Sequence, residues 1–313
     1  MHPSTPLWSR SITMLSIAFS AVLMPATGYS ESGKLLLTGG VSSVDGAAGG
    51  GLTPWAVTGS LATQGQWGAT AHATRVNTRD YGLSAYGAAV SWNERLELSL
   101  ARQDLDTGLT GVLLGAPGLR LKQDIVGIKA RVAGDAVLDS DSLMPSIAIG
   151  LQSKSLASSA LDPTLAALGA KRSGTDLYVS ATKLLLAKGI LINGTLRATK
   201  ANQNGLLGFG ASLGGAKSSY ELLPEISVAL LLRKDLAIGF EYRKMSNRLQ
   251  VAGNAAGLGD GLQSSDWKDI FIAWQPNKHL SLTLAFVDLG QIVPATTARR
   301  RQTGTYLSAQ VAF

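Results

Sequence analysis

From residue 67 onward, apolar and polar positions alternate with a period of two, and the runs recur along the chain. Tyr86, Ala88, Val90 and Trp92 share one face, and Leu96, Leu98 and Leu100 return opposite Glu97 and Ser99 across Asn93-Glu94-Arg95. Val126, Ile128, Ala130 and Val132 oppose Lys129 and Arg131. Two later hairpins are sharper. Ile226, Val228, Leu230 and Leu232 turn at Lys234-Asp235 into Leu236, Ile238, Phe240 and Tyr242. Ile270, Ile272 and Trp274 turn at Pro276-Asn277-Lys278 into Leu280, Leu282, Leu284 and Phe286. Such alternation predicts antiparallel strands with one apolar face. Weaker runs predict strands over residues 146–152, 176–185, 190–199 and 206–213. Residues 161–168 read as a short helix.

The runs are about nine to eleven residues long, the length of a tilted strand that crosses a bilayer. Tight turns alternate with longer polar loops at 104–119, 246–265 and 291–302. The polar faces carry small groups and few ions, whereas a soluble sandwich shows more Lys and Glu to water. A lone Arg or Lys at the lipid midplane costs about 2–4 kcal/mol. Turning the Leu, Ile and Phe faces outward avoids that cost and sends Glu97, Lys129, Arg131, Arg197, Arg233, Glu241 and Arg243 into a lumen. The fold expected is all-β, a transmembrane antiparallel β-barrel of about 12 strands, with 14 as the alternative. In the last strand, residues 304–313, the residues Leu307, Val311 and Phe313 lie on one face and form a candidate assembly signal.

Composition supports a barrel. Mean hydropathy is +0.17, and only 16% of residues are charged, against about a quarter in typical soluble domains. Gly is abundant at 36 residues and Cys is absent, which removes disulfide and thiolate chemistry. Ahead of the strands, Arg10 precedes an apolar run over residues 12–24 and small residues near Gly28 and Ser30, the layout of a cleaved secretory signal peptide. The expected division is a signal peptide over 1–30, a Gly-rich segment over 31–66 that plugs the ring or adds first strands, and a barrel over 67–313. A net charge of +7 on an exported chain with scattered basic residues argues against nucleic acid as a partner.

Candidate chemistry is sparse. Residues 39–51 are Gly-rich but lack the Gly-x-Gly-x-x-Gly spacing that cradles phosphates. His72 sits in a strand of unclear phase, and a hydrolytic site would need it beside a serine and a carboxylate. His279 reads as a turn residue. No His, Asp and Glu spacing indicates a metal, so no cofactor is expected. The luminal set holds more Arg and Lys than Glu. That excess suits small anionic solutes unless the charges pair with Glu97, Glu241 and Asp288 inside an occluded ring.

Several stretches resemble the bacterial outer-membrane family of unknown function DUF3034. They are residues 39–52 with Pro54-Trp55, Thr74-Arg75-Val76-Asn77, Glu97-Leu98-Ser99, residues 193–199, Gly239-Phe240-Glu241-Tyr242-Arg243 and Phe286-Val287-Asp288-Leu289-Gly290. The resemblance implies an outer-membrane protein and supplies no reaction or ligand. The last strand is similar to the signature read by barrel-assembly machinery, with Phe313 as its terminal aromatic. The expected function is therefore a passive, porin-like channel in the outer membrane of a Gram-negative bacterium. A non-conducting structural or adhesion barrel is the alternative, and a lipid-modifying enzyme ranks behind both. Expected partners are outer-membrane lipid, lipopolysaccharide (through Arg299-Arg300-Arg301) and the assembly machinery.

Overall fold

A computed structural model describes residues 34–135 and 144–313. The expected signal peptide lies outside these residues. Two short strands, β1 (Val41–Ser42) and β2 (Ala48–Gly49), pair with each other. Twelve longer strands close a ring in chain order: β3 (Trp67–Thr78), β4 (Gly82–Trp92), β5 (Leu96–Asp106), β6 (Arg120–Ala133), β7 (Ser146–Leu156), β8 (Ser173–Leu185), β9 (Ile190–Thr199), β10 (Glu221–Arg233), β11 (Leu236–Arg243), β12 (Trp267–Trp274), β13 (Leu280–Asp288) and β14 (Thr303–Ala312). All neighbours are antiparallel, and β14 closes on β3 from Gly304 opposite Thr78 to Ala312 opposite Thr70. Every strand thus has two partners, and the ring has no open edge.

Strict alternation sets the two faces. Leu98, Leu100, Ile128, Ile192, Ile226, Leu284 and Leu307 are exposed on the outside, while each intervening position is buried inside. Trp67, Trp92, Trp274 and Phe313 stand on the outer face at one end, and the rings of Trp67 and Trp92 lie 6.0 Å apart. An apolar belt with an aromatic girdle suits the boundary between hydrocarbon and headgroups. Toward the other end, outward charges begin in pairs, with Arg102 2.5 Å from Asp124 and Arg120 2.9 Å from Asp104. The long strands β5 and β6 therefore outrun the belt. Among the described residues no helix is long and apolar enough to cross a membrane.

The ends differ in their connections. The aromatic end, which also carries Phe313, has tight turns such as 93–95 and 234–235; the opposite end carries the loops 107–119, 157–172, 200–220, 244–266 and 289–302. Three helices sit in those loops: α1 (Leu109–Leu113), α2 (Asp162–Leu168) and α3 (Arg248–Ala255). The strand expected over 206–213 is instead irregular loop, because Gly205, Gly208 and Gly210 take positive φ and break the extended run. Its Phe209 bridges to Lys171 and Ala201, folding the loop over the barrel mouth.

Candidate functional site

Residues 37–62 run inside the ring, with Leu35 and the turn at Gln64-Gly65 exposed at either side of them. Apart from Gly39, the stretch 38–60 is buried throughout, and its polar atoms bond to inward side chains of many strands. The β1–β2 turn is tight because Gly46 adopts φ +89°, a conformation that costs Gly little. Beyond it Gly50 lies flat against β11, where any Cβ would collide with the Glu241 carboxylate. Glycine abundance in this stretch thus reflects close approach of backbone to the barrel wall.

Glu241 accepts from Leu52 N–H at 2.8 Å and from the Thr53 hydroxyl at 2.6 Å. The Trp55 indole N–H donates to Ser227 Oγ at 3.0 Å. Pro54 carbonyl oxygen accepts from Thr195 at 2.8 Å and Ser180 at 3.1 Å. Glu97 accepts from Ala48 N–H at 2.9 Å and Gly59 N–H at 3.0 Å, and its carboxylate pairs with Lys129 at 2.9 Å. Lys129 also donates to Ala48 O at 2.9 Å. Buried backbone groups that leave water need such partners, and here the barrel wall supplies them.

At the centre, Asp45 of the inner segment meets Arg243 at 3.1 Å, Lys154 at 3.3 Å and the Asn204 amide at 2.6 Å. Lys154 reaches Asp176 at 3.0 Å. Arg197 grips Glu225 at 2.5 Å and lies 3.5 Å from Asp176. Arg243 completes the circuit to Glu225 at 3.3 Å. Its guanidinium also stands 5.7 Å from the Trp267 ring centroid, and that of Arg197 lies 5.3 Å from Tyr178. Three carboxylates (Asp45, Asp176, Glu225) therefore face three cations (Lys154, Arg197, Arg243), all almost fully buried. Such a network holds its charges only while every member is paired.

Of the charges expected in the lumen, Glu97, Lys129, Arg197, Glu241 and Arg243 face inward and are buried. Arg131 sits at the turn end, 2.5 Å from Asp135 and 3.8 Å from Glu94. Arg233 is placed differently from expectation. A register shift after Leu231 turns it outward at the last position of β10, beside the turn, where its side chain is 62% exposed and pairs with Asp235 at 3.1 Å. Asp288 also stays at the loop end, 2.7 Å from Arg301. The buried wall set is then Lys129, Lys154, Arg197 and Arg243 against Glu97, Asp176, Glu225, Glu241 and Asp269. The cationic excess inferred from alternation disappears once Lys154, Asp176, Glu225 and Asp269 are counted.

His72 points inward and is buried, and neither ring nitrogen has a hydrogen-bond partner among the described residues. It therefore makes no bond to a serine or carboxylate. His279 lies in the β12–β13 turn, where Nδ1 is 2.8 Å from Ala312 O and the ring packs 5.7 Å from Phe313. The three consecutive arginines are tied internally: Arg299 is 3.9 Å from Asp260, Arg300 2.5 Å from Asp80 and Arg301 2.7 Å from Asp288. Leu307, Val311 and Phe313 all project outward from or just beyond β14.

A closed antiparallel ring with an apolar outer belt and a polar, internally paired interior defines a transmembrane β-barrel. The chain belongs to the family described as a protein of unknown function, DUF3034, whose model matches residues 38–310. No curated protein matches it. Solved structures similar to it include the NanC porin, at 9% identity and TM-score 0.47, covering 78% of this chain and 98% of that one. An outer membrane phospholipase dimer of Salmonella typhi with bound calcium matches at 10% identity and TM-score 0.42, covering 77% and 90%. An outer membrane channel from Pseudomonas putida F1 matches at 9% identity and TM-score 0.41, covering 80% and 96%.

Proposed function

We propose that this protein is an outer-membrane β-barrel closed at rest by its own residues 34–66, through which a polar solute passes only when that segment moves. The observation that carries this reading is the balanced cluster of Asp45, Asp176 and Glu225 with Lys154, Arg197 and Arg243. A porin-like anion path would need unpaired cations lining water, whereas these cations are spent on carboxylates and on the inner segment. Residence in the outer membrane is supported by the apolar belt, the aromatic girdle and the export signal read in the sequence. The lipid-facing side chains of Leu307, Val311 and Phe313 support recognition by barrel-assembly machinery, and the belt itself is the contact with lipid. With Arg299, Arg300 and Arg301 already paired, any contact with lipopolysaccharide phosphates competes with Asp260, Asp80 and Asp288.

Planar-bilayer recording tests the reading. The intact protein should show no steady conductance at moderate voltage, and a variant lacking residues 34–66 should conduct ions. Large, constant openings of the intact protein would overturn closure at rest. A silent deletion variant that is still a folded barrel would favour a purely structural role.

A further inference from the structure

At the loop end lies a cavity of about 260 Å³ that the luminal network does not use. Its floor and walls are aliphatic, built from Leu105 and Leu121 of β5 and β6, Leu165 of α2, and Leu207, Leu262 and Ile292 of the loops. No charged side chain lines it. The polar groups at its wall already serve one another. Tyr81 Oη bonds Thr110 Oγ1 at 2.7 Å and donates to Ile292 O at 2.9 Å, and Thr110 Oγ1 bonds Thr296 Oγ1 at 2.6 Å. Thr107 donates to Leu119 O at 2.8 Å. Thr164, the remaining polar side chain of the lining, is exposed on α2, and the rest of the wall is aliphatic; a cavity so poor in polar partners takes apolar guests. Its volume is well above the ~150 Å³ that accommodates benzene.

The surroundings indicate access from outside. Leu114 and Leu258 line the cavity and are exposed, and Leu109, Val112 and Leu113 extend an apolar rim along α1. Below, a smaller hollow of about 30 Å³ shares Tyr81, Leu105, Leu207 and Ile292 with it and reaches Trp267. Trp267 packs on Arg243 of the central cluster, so the apolar path ends where the paired charges begin. This arrangement suits retention of a guest at the outer mouth.

We propose that the loop end of the barrel is a binding site for a small uncharged hydrocarbon group, one or two fused rings or a short acyl chain. The aliphatic lining and its lack of charged side chains select against polar and ionic ligands, since each would lose hydration with little replacement. Two sources can supply this chemistry, a free aromatic solute or the acyl chain of a neighbouring lipid.

Crystals of the full protein soaked with 1-bromonaphthalene form one arm, and crystals grown with a phospholipid brominated on its acyl chain form the other. Bromine anomalous density among Leu165, Leu207 and Ile292 is expected in at least one arm, and the arm that gives it names the source. In solution, equilibrium dialysis of labelled naphthalene against protein in nanodiscs should show binding above that of Leu165→Glu nanodiscs, which correct for partition into lipid. Ala295→Trp, placed at the exposed lip, should lower affinity at least tenfold without disturbing the core, and serves if Leu165→Glu does not fold. Absence of bromine density in both arms, or equal uptake by the intact protein and Ala295→Trp, would overturn the proposal.

Discussion

Asp45 and Arg243, 198 positions apart in sequence, meet 3.1 Å from each other inside the barrel. One belongs to the segment that fills the lumen and the other to its wall, so this contact fastens the two together. Asp45 also engages Lys154 and, through Asn204, the loop that folds over the mouth. The inner segment, the wall and the mouth loop thus share one carboxylate.

Asp45→Asn keeps the shape of the side chain and removes its charge, leaving three buried cations against two carboxylates. Breaking one member out of a buried network costs about 3–5 kcal/mol because a charge is left uncompensated. The variant is expected to melt well below the parent in detergent and to show intermittent openings in planar bilayers. A melting curve identical to the parent's would show that Asp45 does not fasten the plug.

Arg197 and Glu225 offer a cleaner measure of the network. Their contact at 2.5 Å is wholly buried. Either Arg197→Met or Glu225→Gln alone should destabilise by about 3–5 kcal/mol, while the double variant should lose less than the two singles summed. Thermal or denaturant unfolding of the four proteins gives the coupling directly. Additive losses would mean that the pair contributes no interaction of its own, and that Asp176 and Gln152, whose Oε1 accepts from Arg197 at 2.8 Å, suffice for Arg197.

Much of the barrel was legible because a strand exposes its period locally. Ile226, Val228, Leu230 and Leu232 announce both an outward face and, by elimination, the inward Ser227 and Ala229. The count of about 12 strands followed from such runs and from the even number a closed single-chain barrel needs, although one run, over 206–213, is loop. Partners of the luminal charges were not legible, since pairing depends on register across distant strands. Lys154 was missed because Ser153 and Ser155 flank it and blur the alternation of β7. Glu225 and Asp176 lie toward strand ends, where the apolar pattern has not yet started. Asp45 sits in a Gly-rich run that carries no period at all. Arg233 shows the converse error, for a single register shift removed it from the face its neighbours predicted. The helix α3 was hidden in a polar stretch that reads as loop.

Asp266 should make the 244–266 loop sensitive to acid. Burial alone would raise its carboxyl, but Met245 N–H at 3.0 Å, the Tyr242 hydroxyl at 2.7 Å and Lys244 at 3.0 Å hold it below its ordinary value. A folded pKa below the unfolded value of about 3.9 gives a contribution that is complete above that value and vanishes as pH falls through the folded pKa. Hydrogen exchange in this loop, corrected for intrinsic rates, should therefore accelerate below about pH 4. Asp266→Asn should be faster at neutral pH and should lose that acid response. An unchanged acid response in the variant would assign it to another group.

Phe313 combines two kinds of contact that a truncated chain would lose together. Its backbone N–H donates to Ala69 O at 2.8 Å, and its carbonyl oxygen accepts from Ala69 N–H at 3.0 Å and Leu61 N–H at 3.3 Å. The first two extend the β14–β3 seam, and the third ties the seam to the inner segment. The ring, 55% exposed, projects outward beside His279. Removing Phe313 deletes both seam bonds and the ring, whereas Phe313→Ala deletes the ring alone. If the ring is the feature read during assembly, both variants should reach the outer membrane in lower amount, with little difference between them. A seam role predicts that Phe313→Ala reaches normal surface levels while the deletion variant does not. Measuring heat-modifiable, surface-accessible barrel for each variant separates the two roles, and normal levels of both would remove Phe313 from assembly altogether.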